Sequence, residues 1–373
     1  MDNGIARGEP FWVAGFMSGT SVDAVDGAMI LTDGEALLEF GPTSERKYTT
    51  GERATIMEAV AAARAWRFEG EEPREAFAAA EAVLRIAHLD ALSMMSGGPQ
   101  PQLVGVHGQT VLHRRPANGR QGATRQIFDI DGFMAAAGLP VWHDFRSADV
   151  AAGGEGAPLA PVYHRALLKL AGIDEGVVLN LGGVANPTIV KAGGELVAFD
   201  CGPANGPIDE WVEGHDAGTH DAEGALAATG RVNEAILTEV MDHPFFDEVP
   251  PKSLDRFDFS ANLVRGLSLE DGAATLVEIA ALGVSRGIAL SGARPDKVVA
   301  CGGGRHNPSL MAALNRVCPC PVVPAEAMGW RGDSIEAEAF AFLAARAARG
   351  LPISFPSTTG VPEPMTGGRL KSP

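Results

Sequence analysis

The sequence predicts an α/β protein of two lobes, and three observations carry that reading. At 373 residues the chain exceeds what one hydrophobic core fills, so two lobes are expected. Short apolar runs alternate with stretches of helical periodicity in both halves, the pattern of an α/β sheet protein. Three glycine clusters each follow an apolar run directly, at the strand ends where open α/β sheets bind ligands. The order strand, glycine turn, strand occurs at 11–31 and again at 176–199, which points to two related lobes. With glycine-rich 145–155 as the divide, an N-terminal lobe covers 1–145, joined by the tail 352–373, and a C-terminal lobe covers 146–351.

Taken in order, Phe11–Ala14 and Ala28–Leu31 read as two strands of a hairpin around a polar glycine turn. Residues 52–95, rich in Ala, Glu and Arg, read as two helices. Leu103–Val106 is a buried strand with His107-Gly108-Gln109-Thr110 at its end. Phe133–Ala137 is helical and Pro140–Trp142 a strand. A glycine loop at 153–156 leads to a helix (Val162–Leu170), a strand (Gly176–Leu181) and the turn Gly182-Gly183. Glu195–Phe199 is a strand ending at Asp200. Residues 207–214 and 222–241 read as helices, 244–260 as a loop, and 267–293 as a long amphipathic helix. Lys297–Cys301 is a strand entering Gly302-Gly303-Gly304. A helix (Pro308–Val317), a strand and a closing helix (Ser334–Arg349) follow, and the proline-containing tail from Leu351 wraps the surface or returns to the first lobe.

The formal charge is −17, which opposes a broad electrostatic footprint on nucleic acid or an anionic membrane. Four cysteines, Cys201, Cys301, Cys318 and Cys320, are too few for a disulfide framework and read as reduced thiols of a cytoplasmic protein. The charged segment Met1–Pro10 has no apolar signal core, and no run reads as membrane-spanning. Glycine, 46 residues or about 12% against a usual 7%, is in excess, as tight turns around a ligand require.

The first turn, Gly15 to Ser21, supplies Ser18, Gly19, Thr20 and Ser21, whose N–H groups and hydroxyls suit phosphate oxygens. Val22, Asp23, Ala24, Val25 and Asp26 follow, and the two carboxylates suit Mg²⁺ or its waters. A plain hairpin with Ser/Thr turn chemistry satisfies the same residues. Neither a Walker A motif nor a clear Gly-x-Gly-x-x-Gly is present. The second and third clusters, Gly182-Gly183 and Gly302-Gly303-Gly304, complete a series suited to one nucleotide. Asp200, ending a strand before Cys201-Gly202-Pro203, is placed as a general base or as a turn aspartate. His107, with Gln109 and His113, could contact a sugar or serve only as structural hydrogen-bonders. The acid and histidine cluster Asp209, Glu213, His215, Asp216, His220 and Asp221 lacks zinc spacings and reads as a solvated loop.

These motifs together resemble anhydro-N-acetylmuramic acid kinases. The resemblance rests on Gly15-Phe16-Met17-Ser18-Gly19-Thr20-Ser21-Val22-Asp23, on Val106-His107-Gly108-Gln109-Thr110 and on 144–159. It continues through Asn180-Leu181-Gly182-Gly183-Val184-Ala185-Asn186, Phe199-Asp200-Cys201-Gly202-Pro203-Ala204-Asn205, Cys301-Gly302-Gly303-Gly304 and 332–337, in order from residue 15 to about 345. It implies the two-lobed fold of hexokinase, actin and heat-shock chaperone ATPases, with ATP in the cleft. It implies opening of the 1,6-anhydro ring of anhydro-N-acetylmuramic acid by water and phosphorylation of O6, in cell-wall recycling, by a cytoplasmic homodimer. By this resemblance Gly19 to Asp26 hold the ATP phosphates and Mg²⁺, Asp200 is the base, and His107, Arg146, Asp149 and Glu336 contact sugar or phosphate.

Two positions depart from the family. Ala24 stands where Gly is usual and would be strained at φ > 0. Phe128, in Gln126-Ile127-Phe128-Asp129, replaces a Gly and bears on the sugar-side loop. The competing expectations are a kinase of the same fold for another amino sugar, and a nucleotide-binding ATPase without a sugar substrate.

Overall fold

The computed structural model describes residues 8–117, 119–250, 252–254 and 259–373. Part of the N-terminal segment Met1–Pro10 and of the loop 244–260 therefore lies outside the described residues. The path to Leu170 contains β1 (Phe11–Ser18), β2 (Ala24–Thr32), β3 (Leu37–Lys47), α1 (Thr50–Trp66), α2 (Arg74–Met94), β4 (Leu103–Arg114), β5 (Ala123–Ile127), α3 (Ile130–Ala137), β6 (Val141–His143), α4 (Ser147–Ala151) and α5 (Pro161–Leu170). Next come β7 (Gly176–Leu181), β8 (Val184–Val190), β9 (Leu196–Ala198), β10 (Gly202–Pro203), α6 (Asn205–Glu213), α7 (Ala225–Thr229), α8 (Glu234–Met241), α9 (Leu269–Leu290), β11 (Val298–Cys301), α10 (Pro308–Val317) and β12 (Val322–Pro324). The chain ends with α11 (Ile335–Ala348) and β13 (Arg369–Lys371).

Two compact units result: one ends at Leu170 and resumes over Ser334–Pro373, and the other is Ala171–Asp333. Each is α/β with a mixed sheet, in the class the sequence predicts. The first sheet runs β13-β6-β4-β1-β2-β3 with β5 on β4, and the second β10-β8-β7-β11-β12 with β9 on β8. The likeness between them is specific. In each unit a three-strand antiparallel meander (β1-β2-β3, β7-β8-β9) is extended on its first strand by two parallel strands (β4 and β6, β11 and β12). The two glycine turns expected from the sequence, β1–β2 and β7–β8, occupy equivalent positions.

The divide falls at 170/171 and 333/334 rather than at 145/146 and 351/352. Helix α11 supplies the physical reason. A Cβ on Gly15 would lie 2.0 Å from Ala337 O, and one on Gly105 would lie 2.2 Å from Phe340 O. Only glycine on β1 and β4 lets this Ala-rich helix lie directly on the sheet, and nearly all of its residues are buried there. Helix α5 packs against α11, which brings 161–170 with it.

Other expectations are corrected by local geometry. Strand β4 does not stop at Val106 but continues through His107 to Arg114. Helix α4 occupies Ser147–Ala151, where the sequence reading assigned no element. The predicted helix 222–241 breaks into a short 3-10 turn, α7 and α8: Glu223 and Gly224 take φ of 54° and 62° before α7, and Gly230 and Asn233 are extended between α7 and α8. Helix α9 is long and apolar enough to cross a membrane by length and composition, contrary to the sequence reading. Its buried residues, from Gly272 to Ile288, form the centre of the second unit's core.

The first unit's core also holds a polar group. His88 is fully buried against Phe16 and Phe128, and its Nδ1 donates to Leu84 O at 2.7 Å. Its Nε2 has no hydrogen-bond partner among the described residues, and burial lowers its pKa from 6.5 to about 4. The unfolded chain therefore takes up this proton at a higher pH than the native protein. The contribution to stability is complete above the unfolded pKa and is lost as pH falls from there toward the folded value. Between about pH 7.5 and about pH 5 that loss is about 2 kcal/mol. Urea unfolding at both values should show the pH dependence of His88→Leu reduced by this amount; an unchanged dependence would exclude His88 as its source.

Candidate active site

Within the first unit, the β1–β2 turn is held from beneath. Ser18 is buried, and its Oγ donates to Gln109 Oε1 at 2.6 Å and lies 2.8 Å from the Tyr48 hydroxyl. Because Ser18's one proton goes to Gln109, Tyr48 is the donor in the second contact. Gln109 Nε2 then donates to Gly19 O at 3.2 Å. Gln109 thus clamps the turn, a role no local sequence signal shows because it lies 90 residues away.

Ser18's hydroxyl is spent inside the fold, whereas Thr20 and Ser21 are exposed. Val22, a β-branched residue, is fully buried at φ 55° and anchors the turn in the cluster with Ile56, Val111 and Ile127. Strain at this turn therefore belongs to Val22 and not to Ala24, which begins β2 opposite Lys47. Asp23 is exposed, with Arg53 Nε 3.8 Å from its carboxylate. Asp26 sits on β2 opposite Met17, and Val25 beside it is buried.

Two residues before Gln109, His107 is buried against the Phe340 ring. Its Nδ1 lies 2.8 Å from Gly108 O and its Nε2 3.0 Å from Arg146 Nε. A carbonyl only accepts and a guanidinium only donates, so the ring is neutral with its proton on Nδ1. Burial first, and then the Arg146 charge, hold its pKa well below 6.5. Arg146 Nη1 donates to Gly156 O at 2.7 Å. Desolvation lowers the Arg146 pKa, opposed by Glu336 and then Asp149. Glu336, in the first turn of α11, keeps exposed surface; desolvation pushes its carboxyl upward while Arg146 pulls it down.

The structure thus brings His107, Arg146 and Glu336 into one electrostatic group. Asp149 is different. Its Oδ1 accepts from Gly156 N at 2.6 Å and its Oδ2 from Thr359 Oγ at 2.6 Å, so it organises the 153–156 loop. His113 lies further along β4, with Nδ1 3.1 Å from Thr124 Oγ1. Phe128 packs on His88 and Phe133 and lines a recess of about 210 Å³ with His107, Gln126 and Ser147.

Within the second unit, Gly182 and Gly183 turn β7 into β8. Their carbonyls accept from the amides of Ala204, Asn205 and Gly206, which seats the start of α6 against the turn. Asn205 Nδ2 also donates to Leu181 O at 3.1 Å. Gly302, at φ 74°, follows β11, beside β7 in the sheet. Asp200 is 8% exposed. Its Oδ1 accepts from Asn186 Nδ2, its Oδ2 accepts from Leu254 N at 2.6 Å, and its own N–H donates to Lys252 O. Asn186 and Leu254 are site residues the sequence did not single out. Of the acid and histidine cluster, Asp221 binds the amides of Leu226 and Ala227 at the start of α7. Among the described residues no three His, Cys, Asp or Glu side chains gather closely enough to hold a metal ion.

The glycines separate into two kinds. A Cβ on Gly302 would lie 2.3 Å from Asn180 Oδ1, and one on Gly304 2.7 Å from Leu181 Cβ, so these two are required by the fold. Gly19, Gly182, Gly183 and Gly303 lie outside the left-handed region, and a Cβ there meets no described atom closer than 3.6 Å. Neither backbone nor packing demands glycine at these four. Each of these four positions therefore leaves open space beside its backbone N–H group, in both units.

The family model for anhydro-N-acetylmuramic acid kinase matches residues 11–372. The kinase of that name from Phenylobacterium zucineum is 52% identical over 367 residues, covering 97% of this chain and 99% of its own. The one from Caulobacter vibrioides is 51% identical over 364 residues, covering 96% and 98%. Among solved structures, a ROK family glucokinase from Streptomyces griseus in complex with glucose and AMPPNP aligns over 90% of this chain and 99% of its own, at 12% identity and a TM-score of 0.39. Relatives this similar from end to end make the protein an ATP-dependent kinase of a small sugar. The chain belongs to the anhydro-N-acetylmuramic acid kinase family.

Proposed function

We propose that this kinase opens 1,6-anhydro-N-acetylmuramic acid with water while phosphorylating O6, giving N-acetylmuramate 6-phosphate and ADP in peptidoglycan recycling. The observation that carries this reading is Asp200, a nearly buried carboxylate fixed by Asn186 and Leu254. An ionised carboxylate only accepts hydrogen bonds, which is the chemistry a general base needs to take a proton from water. Asp200 takes the proton of a water whose oxygen bonds to the anomeric carbon. The bond from that carbon to O6 breaks, O6 bonds to the γ-phosphorus, and ADP departs with the electrons of the bond it loses.

Gly19, Thr20 and Ser21 of the first unit, and Gly182, Gly183 and Gly303 of the second, are each suited to phosphate oxygens, and positioning and charge neutralisation dominate phosphoryl transfer. Mg²⁺ commonly arrives with nucleotide phosphates and few protein ligands, and Asp23 and Asp26 would take it directly or through water. When bound, it offsets phosphate charge. Arg146, fixed by neutral His107, and Glu336 would face the sugar. The same reading makes the protein a cytoplasmic homodimer.

The test is the mass of the product formed from anhydro-N-acetylmuramic acid and ATP. It should exceed the substrate by one water and one phosphoryl group. A gain of the phosphoryl group alone would remove ring opening from the reaction. ADP release indifferent to any sugar would leave an ATPase.

A further inference from the structure

Arg305 follows the third glycine turn, and the reaction described above does not use it. Its guanidinium is 1% exposed, although both of its acidic partners reach solvent. Nη1 donates to Gly302 O at 3.0 Å, within the turn itself. Nε donates to Glu326 Oε1 at 3.0 Å, and Nη2 lies 2.9 Å from the same oxygen. Nη2 also lies 2.8 Å from Asp333 Oδ2. The segment before Asp333 runs against the guanidinium so closely that a Cβ on Gly332 would lie 2.5 Å from Arg305 Nε. Asp333 is the last residue of its unit, and Ser334 begins the return of the chain into the other. One planar cation therefore holds a carbonyl of the glycine turn and the residue at which the chain crosses. Arginine alone supplies a rigid fork of donors for such a joint.

We propose that Arg305 is a positioning residue that couples nucleotide at the Gly302–Gly304 turn to the chain crossing at 333/334. The inference rests on the reading that this turn holds nucleotide. Nucleotide at the turn steadies Gly302, Gly302 steadies the guanidinium, and the guanidinium steadies Asp333. Movement of the crossing is thereby restrained when nucleotide is present. The Asp333 link is the one to cut, because its carboxylate is 80% exposed and its loss leaves the core untouched.

The experiment compares wild type, Asp333→Asn and Asp333→Glu by calorimetric titration with AMPPNP and by amide hydrogen exchange with and without it. In wild type, AMPPNP should slow exchange at both 302–305 and 330–336. Asp333→Asn should bind AMPPNP about tenfold more weakly, the loss expected for one charge-assisted hydrogen bond. It should keep its melting temperature and lose the protection at 330–336, and Asp333→Glu should restore both. Protection of 302–305 in wild type, with Asp333→Asn matching it in affinity and in exchange at 330–336, overturns the coupling alone. AMPPNP binding to wild type without protection at 302–305 overturns the nucleotide assignment of the turn and the coupling with it.

Discussion

Asp200→Asn should lower turnover of anhydro-N-acetylmuramic acid by about 10³-fold, within the range general base catalysis contributes. ATP-analogue binding should persist, because the substitution removes a proton acceptor and leaves the glycine turns alone. Asn186 Nδ2 and Leu254 N donate to the side chain, each to its own oxygen. An amide has only one oxygen, so its NH₂ must face one of those donors. The variant should therefore also lose about 1–3 kcal/mol of stability. Turnover is best measured well below the melting transition, with thermal unfolding and AMPPNP titration run beside it. Turnover within tenfold of wild type would remove Asp200 from the proton-transfer step.

The second large effect separates the two kinds of glycine. Gly19→Ala introduces a methyl whose nearest neighbour, Ser21 Oγ, is 3.6 Å away, at an ordinary φ. The fold should be indifferent, within about 0.5 kcal/mol. Nucleotide affinity should fall by tenfold or more, roughly what 1.4 kcal/mol of lost contact gives. Gly302→Ala reverses the pattern. Its φ of 74° disfavours alanine, and its Cβ would lie 2.3 Å from Asn180 Oδ1. Destabilisation of about 2 kcal/mol or more should follow, visible in thermal unfolding before any ligand is added. Wild-type affinity in Gly19→Ala would remove that turn from the phosphate site. A wild-type melting temperature in Gly302→Ala would contradict the steric account of that position.

Much of the candidate site is legible along the chain because glycine turns are local objects. Gly19-Thr20-Ser21, Gly182-Gly183 and Gly302-Gly303-Gly304 are contiguous, and each follows its strand directly. Which hydroxyl is free is not a local property. Ser18 resembles Thr20 and Ser21 in sequence, but a glutamine 91 positions away takes its proton. Asp149 likewise matches a family motif, and only the fold shows that its carboxylate joins the Gly156 amide to Thr359, 210 positions away. Ala24 raised a question about backbone strain that the fold resolves at Val22, two positions earlier.

By itself the sequence determined the α/β class, most helices and strands, the three glycine turns, the carboxylate after β9 and the family. These rest on periodicity, turn chemistry and short motifs, which act over a few residues. The tertiary structure decided that 146–170 and α11 belong to the first unit, that Gln109 clamps the first turn, and that Arg305 joins the third turn to the crossing. Each depends on a contact between segments remote in sequence. Such contacts form where glycine lets backbone approach backbone, or where a buried donor must find an acceptor, and neither requirement has a local pattern.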